Sequence, residues 1–308
     1  KKYLDCLEKE FLSLNFDEPR YIIDNKLDNI KLETDLYTQY VRTNLSYLVD
    51  SLLNIKNIEE AEKYLNKLFD LQENIYPRSY LFNDSESKIT DNESNLYNKY
   101  KKYEYLGTLE FLKNNFNESQ DAYIESILYN FKYDKFSPGW TFTLTLDLNL
   151  VTPLSNDYEK TINLYKKLEN ELSKDAKPIL DIKYTKTISE FYQSYAELYL
   201  NMGNSKKAIN KMNFFLDNYN ANLIEKKDLV WFKYILATAY STDIQFQKAQ
   251  DIFIELENDF FEIENYAMTY NVKTLLRATN IGLNKNLDYL RIVEKECEFV
   301  KKYLSTTH

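Results

Sequence analysis

The sequence contains few of the residues on which most enzyme active sites depend. Its one histidine is His308, the last residue, which excludes Ser-His and Cys-His nucleophilic pairs and leaves no histidine-based metal site. Four isolated glycines provide no glycine-rich phosphate loop. We therefore expect a protein that is not an enzyme and that holds no cofactor and no metal ion. A site built from carboxylates alone is the one catalytic alternative.

Long apolar runs and clustered positive charge are also absent. No stretch of 18 or more apolar residues occurs, so we expect no membrane span. The net charge is −9 and the lysines are interleaved with acids, which argues against direct binding of nucleic acid. Cys6 and Cys297 lie near opposite ends of the chain, and its first residues do not form an apolar signal segment. These features favour a reducing, cytoplasmic location without an internal disulfide.

A four-residue phrase recurs along the chain. In its best copies an aromatic or aliphatic residue, two polar residues and a small residue open a predicted helix. The seven copies end at Pro19, Ala61, Ser119, Thr161, Ala208, Ala249 and Leu290. These residues are 42, 58, 42, 47, 41 and 41 positions apart. A nearly fixed period of this size is typical of a solenoid, in which each helix pair buries its apolar face against its neighbours.

The clearest unit of this array lies between residues 192 and 215. Gly203 is suited to end its first helix in a left-handed conformation, and Ser205 can cap the second helix. Apolar residues at helical spacing predict the buried face of each helix. They are Tyr192, Tyr195, Ala196 and Tyr199 on the first helix and Ala208, Met212 and Phe215 on the second.

These offsets resemble the tetratricopeptide repeat. Ala196, Tyr199 and Ala208 match that family's spacing, and the next unit matches it again with Ala237, Tyr240, Ala249 and Phe253. The period of about 41 is longer than the family's 34 residues, so helices or linkers must be longer. The resemblance implies an all-α, right-handed α-solenoid of about seven degenerate helix pairs, forming a single body over residues 1–308.

Three segments depart from the regular pattern. Residues 77–95 are polar and acidic and predict an exposed loop inserted into the array. Residues 141–146 alternate in polarity, so they form either a short strand or a β-branched first helix that ends near Pro153. Residues 288–304 predict a C-terminal capping helix. Its apolar side joins two copies of the chain, folds back on Ala278 and Ile281, or does both.

The resemblance also places candidate peptide-binding residues on the first helices, where the family lines a concave groove. Trp231 and Tyr234 are the leading pair, although Trp231 has the alternative of packing on the second helix of the preceding repeat. The remaining candidates are polar, and for the asparagines a solvated surface position is the alternative. They are Gln193, Glu197, Thr238, Glu104, Lys101, Asp50, Asn44, Asn201 and Asn271.

Two of these residues exclude a familiar role. Chaperone-binding members of the family hold a C-terminal carboxylate with Lys and Asn, where this chain has Gln193 and Glu197. A co-chaperone is therefore disfavoured, and an acidic groove favours a ligand with Lys, Arg or a free amino group.

The degenerate long repeats resemble the sensor domains of Gram-positive quorum-sensing (peptide-pheromone) regulators. This resemblance implies a cytoplasmic transcriptional regulator that binds a short peptide in its groove and forms a homodimer. Residues 1–35 contain no helix-turn-helix, so DNA would be contacted only through a separate upstream domain, if one exists. The alternative is a scaffold for protein–protein interaction without a small peptide ligand.

Overall fold

The computed structural model describes residues 46, 48–74, 91–134, 141, 147–174, 182–284 and 289–304. All regular structure in these segments is helical and no strand occurs within them, so the all-α prediction is confirmed. Backbone contacts divide the chain into two compact units, Lys1–Lys135 and Phe136–His308. A single continuous array and a right-handed superhelix remain predictions. The first predicted helix pair lies outside the described residues.

The first unit contains a helix over residues 48–54, α1 (Ile58–Asn74), α2 (Asp91–Leu112) and α3 (Phe116–Tyr133). Since α2 begins at Asp91, the predicted acidic loop over residues 77–95 is wrong at its C-terminal end; residues 75–90 lie outside the described segments. The apolar faces of these helices form one core. Its buried members include Leu48, Val49, Leu52, Ala61, Leu65, Leu68 and Leu109.

Helices α2 and α3 pack closely because small residues lie at their contact. A Cβ atom at Gly107 would lie 2.6 Å from ring carbons of Tyr123 on α3. The Ser119 hydroxyl donates to the Gly107 carbonyl at 2.7 Å, and the Ser126 hydroxyl donates to the Tyr100 carbonyl at 2.9 Å. The side chains of α3 thus satisfy α2 carbonyls that this close approach shields from water.

The described residues of the second unit form four helix pairs. These are α4 (Asn149–Ser155) with α5 (Tyr158–Ser173), α6 (Ile182–Asn201) with α7 (Ser205–Asn218), α8 (Lys226–Thr242) with α9 (Phe246–Glu262), and α10 (Tyr266–Gly282) with α11 (Tyr289–Phe299). A 3₁₀ turn (Ala221–Leu223) precedes α8, and a π turn (Val300–Leu304) follows α11.

The segment before Pro153 is helical where it is described. Thr141 and residues 147–155 are in helical conformation, which favours the helical interpretation over the strand; residues 142–146 lie outside the described segments. The helix ends near Pro153, as predicted: α4 stops at Ser155, and Asn156 adopts the left-handed conformation that ends it.

The recurring phrase marks the helix starts as predicted. Five described second helices (α1, α3, α5, α7 and α9) begin at its first residue. The fourth residue of each phrase is fully buried against the partner helix: Ala61, Ser119, Thr161, Ala208 and Ala249 all have 0 % exposure. A larger side chain at this position would separate the two helices, which is why the phrase needs a small residue.

A left-handed residue lies two positions before each of these helices. It is Lys56, Asn114, Asn156, Gly203 or Ile244, with φ between 57° and 71°. At Gly203 this confirms the predicted helix end. The predicted cap Ser205 is wrong: the Asn204 side chain accepts from the Lys207 amide at 3.2 Å, so Asn204 is the cap. Ser205 is the first helical residue, and its hydroxyl donates to Asp243 at 3.0 Å.

The same turn precedes α10, so the start of this helix is a further copy that is not among the seven predicted from the sequence. Glu264 is left-handed with φ 59°, the Asn265 side chain accepts from the Met268 amide at 3.2 Å, and Thr269 is buried. In this copy Ala267 and Met268 replace the two polar residues, so the polar signal of the phrase is lost.

The predicted apolar faces of α6 and α7 are buried. Tyr195 lies at the centre, stacked on Tyr165 of α5 with ring centroids 4.6 Å apart and on Tyr199 with centroids 5.0 Å apart. The other predicted members of this face are also buried: Tyr192, Ala196, Ala208, Met212 and Phe215. Many tyrosines of this unit therefore serve as core residues.

Helix α11 packs against α10. Arg277 of α10 pairs with Glu296 at 2.7 Å, and the ring of Tyr303 lies 4.7 Å from that of Tyr266. Ala278 and Ile281 are exposed, so the expectation that the capping helix covers these two residues is wrong. The described contacts with α11 and the π turn are made instead by Arg277 and Tyr266, about three helical turns apart on α10.

Candidate functional site

The first helices of the second unit form a row joined by polar contacts between neighbours. Lys186 of α6 pairs with Asp228 of α8 at 2.9 Å. Asn271 of α10 donates from its side-chain amide to the Tyr234 hydroxyl of α8 at 3.0 Å. We call the side of α6, α8 and α10 that carries Gln193, Glu197, Trp231, Tyr234 and Asn271 the first-helix face.

The aromatic part of the first-helix face is Trp231 with Tyr234. Trp231 is 40 % exposed, and its ring meets Phe260 of α9 edge-on, with centroids 5.2 Å apart. Phe260 belongs to the second helix of the same pair, so this ring contact differs from the alternative of packing on the preceding repeat's second helix. Trp231 is the sixth residue of α8, since that helix begins earlier than the repeat pattern indicates.

Tyr234 is half-buried and fixed by its neighbours. Burial raises the pKa of its phenol, while the hydrogen bond from Asn271 has the opposite effect. Asn271 is exposed, but its amide is already engaged with Tyr234. Thr238 donates its hydroxyl to the Tyr234 carbonyl at 2.8 Å. The structure therefore brings together Trp231, Tyr234 and Asn271, with Thr238 one turn beyond Tyr234 on α8.

Glu197 of α6 is the most perturbed carboxyl on the first-helix face. Burial raises its pKa to about 7, and a hydrogen bond from the Asn149 side chain opposes that rise. Among the described residues, no lysine or arginine forms an ion pair with Glu197.

Asn149, which bonds Glu197, is held rigidly from two sides. Its amide donates to the Ser194 carbonyl at 2.8 Å, and its side-chain oxygen accepts from the Tyr165 hydroxyl at 3.0 Å. Asn149 and Tyr165 are both buried. A buried, fully satisfied network of this kind fixes the position of the groups it contacts.

The other polar candidates on α6 are already engaged or solvated. Gln193 donates to the Ser189 hydroxyl at 3.1 Å, and Asn201 is exposed at the end of the helix. Glu190, two turns before Glu197, differs from it in having a cation nearby. Burial raises its pKa, but the Thr141 hydroxyl donates to it at 2.7 Å and Lys186 lies close enough to oppose the rise.

The remaining candidates lie in the first unit and form a separate group. Lys101 and Glu104 pair with each other at 2.6 Å. Burial raises the pKa of Asp50, opposed by Lys101 and by a hydrogen bond from Tyr105. This group therefore has one lysine for two carboxyl groups, and the lysine pairs with Glu104. Asn44 lies outside the described residues.

Sequence reasoning missed Phe260, Asn149 and Tyr165. Phe260 had a usable signal, since it follows Phe253 by seven residues and so lies on the same helix face. Asn149 and Tyr165 had none, because hydrogen bonds across three helices leave no trace in apolar periodicity.

A concavity lies between α9, α10 and α11. It encloses about 240 Å³ and is lined mainly by charged residues that pair with one another, including Glu257, Lys273, Arg277 and Glu296. In the described part of the chain, no group of three or more His, Cys, Asp or Glu side chains is placed to hold a metal ion. No helix there is long and apolar enough to cross a membrane.

Comparison with known proteins establishes the fold and no more. No protein-family model matches the sequence, and no curated protein is significantly similar to it. Among solved structures, the chain is similar to the crystal structure of a signal transduction ATPase with numerous domains (STAND) protein with a tetratricopeptide repeat sensor from Pyrococcus horikoshii. The TM-score is 0.52 at 17% identity, over 89% of this chain and 40% of that one. This chain, which spans less than half of that protein's length, thus has a tetratricopeptide-like α-solenoid fold.

Proposed function

We propose that the protein is a non-catalytic peptide- or protein-binding module and that the first-helix face is its binding site. The observation that carries this proposal is Trp231, which leaves 40 % of its surface exposed beside half-buried Tyr234. Tryptophan and tyrosine are the residues most enriched at the energetic centres of interfaces. Phe260 and Asn271 hold this pair in place, so binding requires little ordering of it.

The dimensions of the face fit a short extended peptide. Trp231 and Thr238 are seven residues apart, which is about 10 Å along a helix. Neighbouring packed helices lie about 8–10 Å apart, so the row from α6 to α10 measures about 20 Å across. At about 3.3 Å per residue, a peptide of about five to ten residues crosses this row.

In the more specific form of the proposal, the module is the sensor of a cytoplasmic quorum-sensing transcriptional regulator. The sequence resemblance supports it, and the repeats of the Pyrococcus horikoshii protein are also described as a sensor. Peptide binding would change the rotation between successive repeats, and small rotations add along a solenoid. The change would pass to a second copy in a homodimer, or to a separate DNA-binding domain if one is attached.

Binding of synthetic peptides by isothermal titration calorimetry tests the proposal. We expect heptapeptides selected from a library to bind with micromolar or tighter affinity. Trp231→Ala should weaken binding by about tenfold or more, as expected for an interface centre. Phe214→Ala is the matched control, because Phe214 is 44 % exposed on the second helix α7, and it should leave affinity within about twofold of wild type.

Two results would count against this proposal. If both variants weaken peptide binding equally, or if neither weakens it, the first-helix face is not the site. Failure of every short peptide to bind would favour the alternative, a scaffold for folded proteins. Circular dichroism of each variant establishes that it is folded.

A further inference from the structure

Glu197 differs from several half-buried acids of its unit because no lysine or arginine of the described residues forms an ion pair with it. Glu169 pairs with Lys211 at 2.6 Å, Asp228 with Lys186 at 2.9 Å and Glu296 with Arg277 at 2.7 Å. Glu197 has only the neutral amide of Asn149. A carboxylate taken partly out of water without a counter-charge is unfavourable, so a partner from outside the chain would gain from meeting it.

The carboxyl group of Glu197 is also held in place before any ligand arrives. Asn149 bonds it, and Asn149 is fixed in turn by the Tyr165 hydroxyl and the Ser194 carbonyl. A preorganised side chain loses little conformational entropy on binding, because neither it nor its immediate neighbours must reorder.

Few charged groups surround Glu197. Tyr165 of α5 interacts with it, and α4 contributes neutral Asn149. On α8 every charged residue lies within the first half of the helix, between Lys226 and Lys233. The lysines of α7 are engaged elsewhere: Lys206 acts on Asp243, Lys207 lies over the ring of Tyr199, and Lys211 binds Glu169. Within the described segments, no lysine or arginine forms an ion pair with this carboxylate.

We propose that Glu197 anchors a cationic group of the ligand, namely the side-chain ammonium or guanidinium of Lys or Arg. This inference rests on the proposed function, since it names the chemistry that the first-helix face recognises. The ligand's apolar stem would lie towards Tyr234 and Trp231, which offer half-buried and exposed ring surface on the neighbouring helix.

The proposal predicts a specific dependence on pH. A cation binds the ionised carboxylate, so binding at neutral or lower pH must displace a proton from Glu197. With a pKa of about 7, roughly a tenth of the carboxyl is ionised at pH 6 and roughly nine-tenths at pH 8. Affinity for a lysine peptide should therefore rise about tenfold between these pH values, while a neutral analogue should gain nothing.

Three matched heptapeptide pools, capped at both ends, test this proposal. Their central residue is lysine, norleucine or glutamate, so that the first two differ mainly in charge, and fluorescence anisotropy measures their binding at pH 6 and pH 8. We expect the lysine pool to bind at least about tenfold more tightly than the norleucine pool at pH 8, with a smaller preference at pH 6. Glu197→Gln should abolish both the preference and its pH dependence. Glu190→Gln should retain them, because Glu190 already has Thr141 and Lys186.

The outcomes separate this inference from the function on which it rests. Equal and measurable binding of the lysine and norleucine pools would overturn the cation anchor and leave the peptide-binding function standing. A lysine preference that persists in Glu197→Gln would also overturn it, since the cation would then lie elsewhere. Absence of binding by all three pools would overturn both proposals.

Discussion

The replacement Glu197→Gln should raise the stability of the protein in a pH-dependent way. Glutamine has nearly the shape of glutamate and keeps an oxygen acceptor for Asn149, but it carries no charge to desolvate. The pKa of Glu197 rises from 4.5 to about 7 on folding, chiefly because of burial. Since each pKa unit corresponds to 1.36 kcal/mol, the charged form costs up to about 3 kcal/mol of stability, an upper limit because the residue is only half-buried.

The sign follows from which state binds the proton more tightly. The folded protein holds this proton more tightly than the unfolded chain, so the contribution of Glu197 is favourable below pH 4.5 and is lost as pH rises through about 7. At pH 5 the wild-type carboxyl in the folded protein is mostly neutral, so the glutamine variant should be only slightly more stable than the wild type. At pH 8 the wild-type carboxyl is charged, and the variant should gain up to about 3 kcal/mol.

Urea unfolding at pH 5 and pH 8 measures this difference. Glu255→Gln is the control, because Glu255 is 62 % exposed and pairs with Lys233 on the surface. Its change should stay within about 1 kcal/mol and should not grow with pH. A stability gain of Glu197→Gln that is the same at both pH values, or a loss at pH 8, would refute the reasoning, because the carboxyl would then not be desolvated as described.

The turns and helix contacts provide further predictions, each measured by urea unfolding. Ile244→Gly should stabilise by about 1 kcal/mol, because Ile244 is 74 % exposed and left-handed at φ 63°; a loss would show that its side chain contributes to the fold. Gly203→Ala should destabilise by about 1 kcal/mol, because alanine is strained at a φ of +71° and its Cβ, with no atom within 4 Å, would gain no packing contact in return; an unchanged stability would contradict the left-handed turn. Gly107→Ala should cost about 1–3 kcal/mol, because the new Cβ would lie 2.6 Å from the Tyr123 ring; wild-type stability would contradict the close packing of α2 on α3.

The helix pairs could be predicted because their contacts demand a particular residue size at a fixed position. Ala208 and Ala249 are fully buried, and any large side chain there would hold the helices apart. The exact cap could not be predicted, since Asn204 and Ser205 are both good caps and the φ of Gly203 decides between them. The start of α10 was missed because its turn depends on Glu264 and Asn265, while the following Ala267 and Met268 lack polarity.

The candidate site was predictable only where it follows the repeat. Trp231 and Tyr234 lie three residues apart on one helix, and the resemblance to the tetratricopeptide repeat was enough to group them. That Asn271 reaches Tyr234 depends on the packing of α10 on α8, and that Glu197 lacks a cation depends on the positions of all lysines around it. Such properties arise from tertiary contacts, which a single sequence with weak repeats does not specify.

The central claim is that the ligand binds across the first helices of the second unit. Photo-cross-linking tests it most directly: a lysine-containing heptapeptide with a photoreactive phenylalanine analogue is irradiated with the wild-type protein, and mass spectrometry locates the attachment. The account predicts cross-links on the first-helix face of α6, α8 and α10, including Trp231, that excess unlabelled peptide suppresses. Cross-links confined to the second helices α7 and α9, with none on the first-helix face, would contradict it.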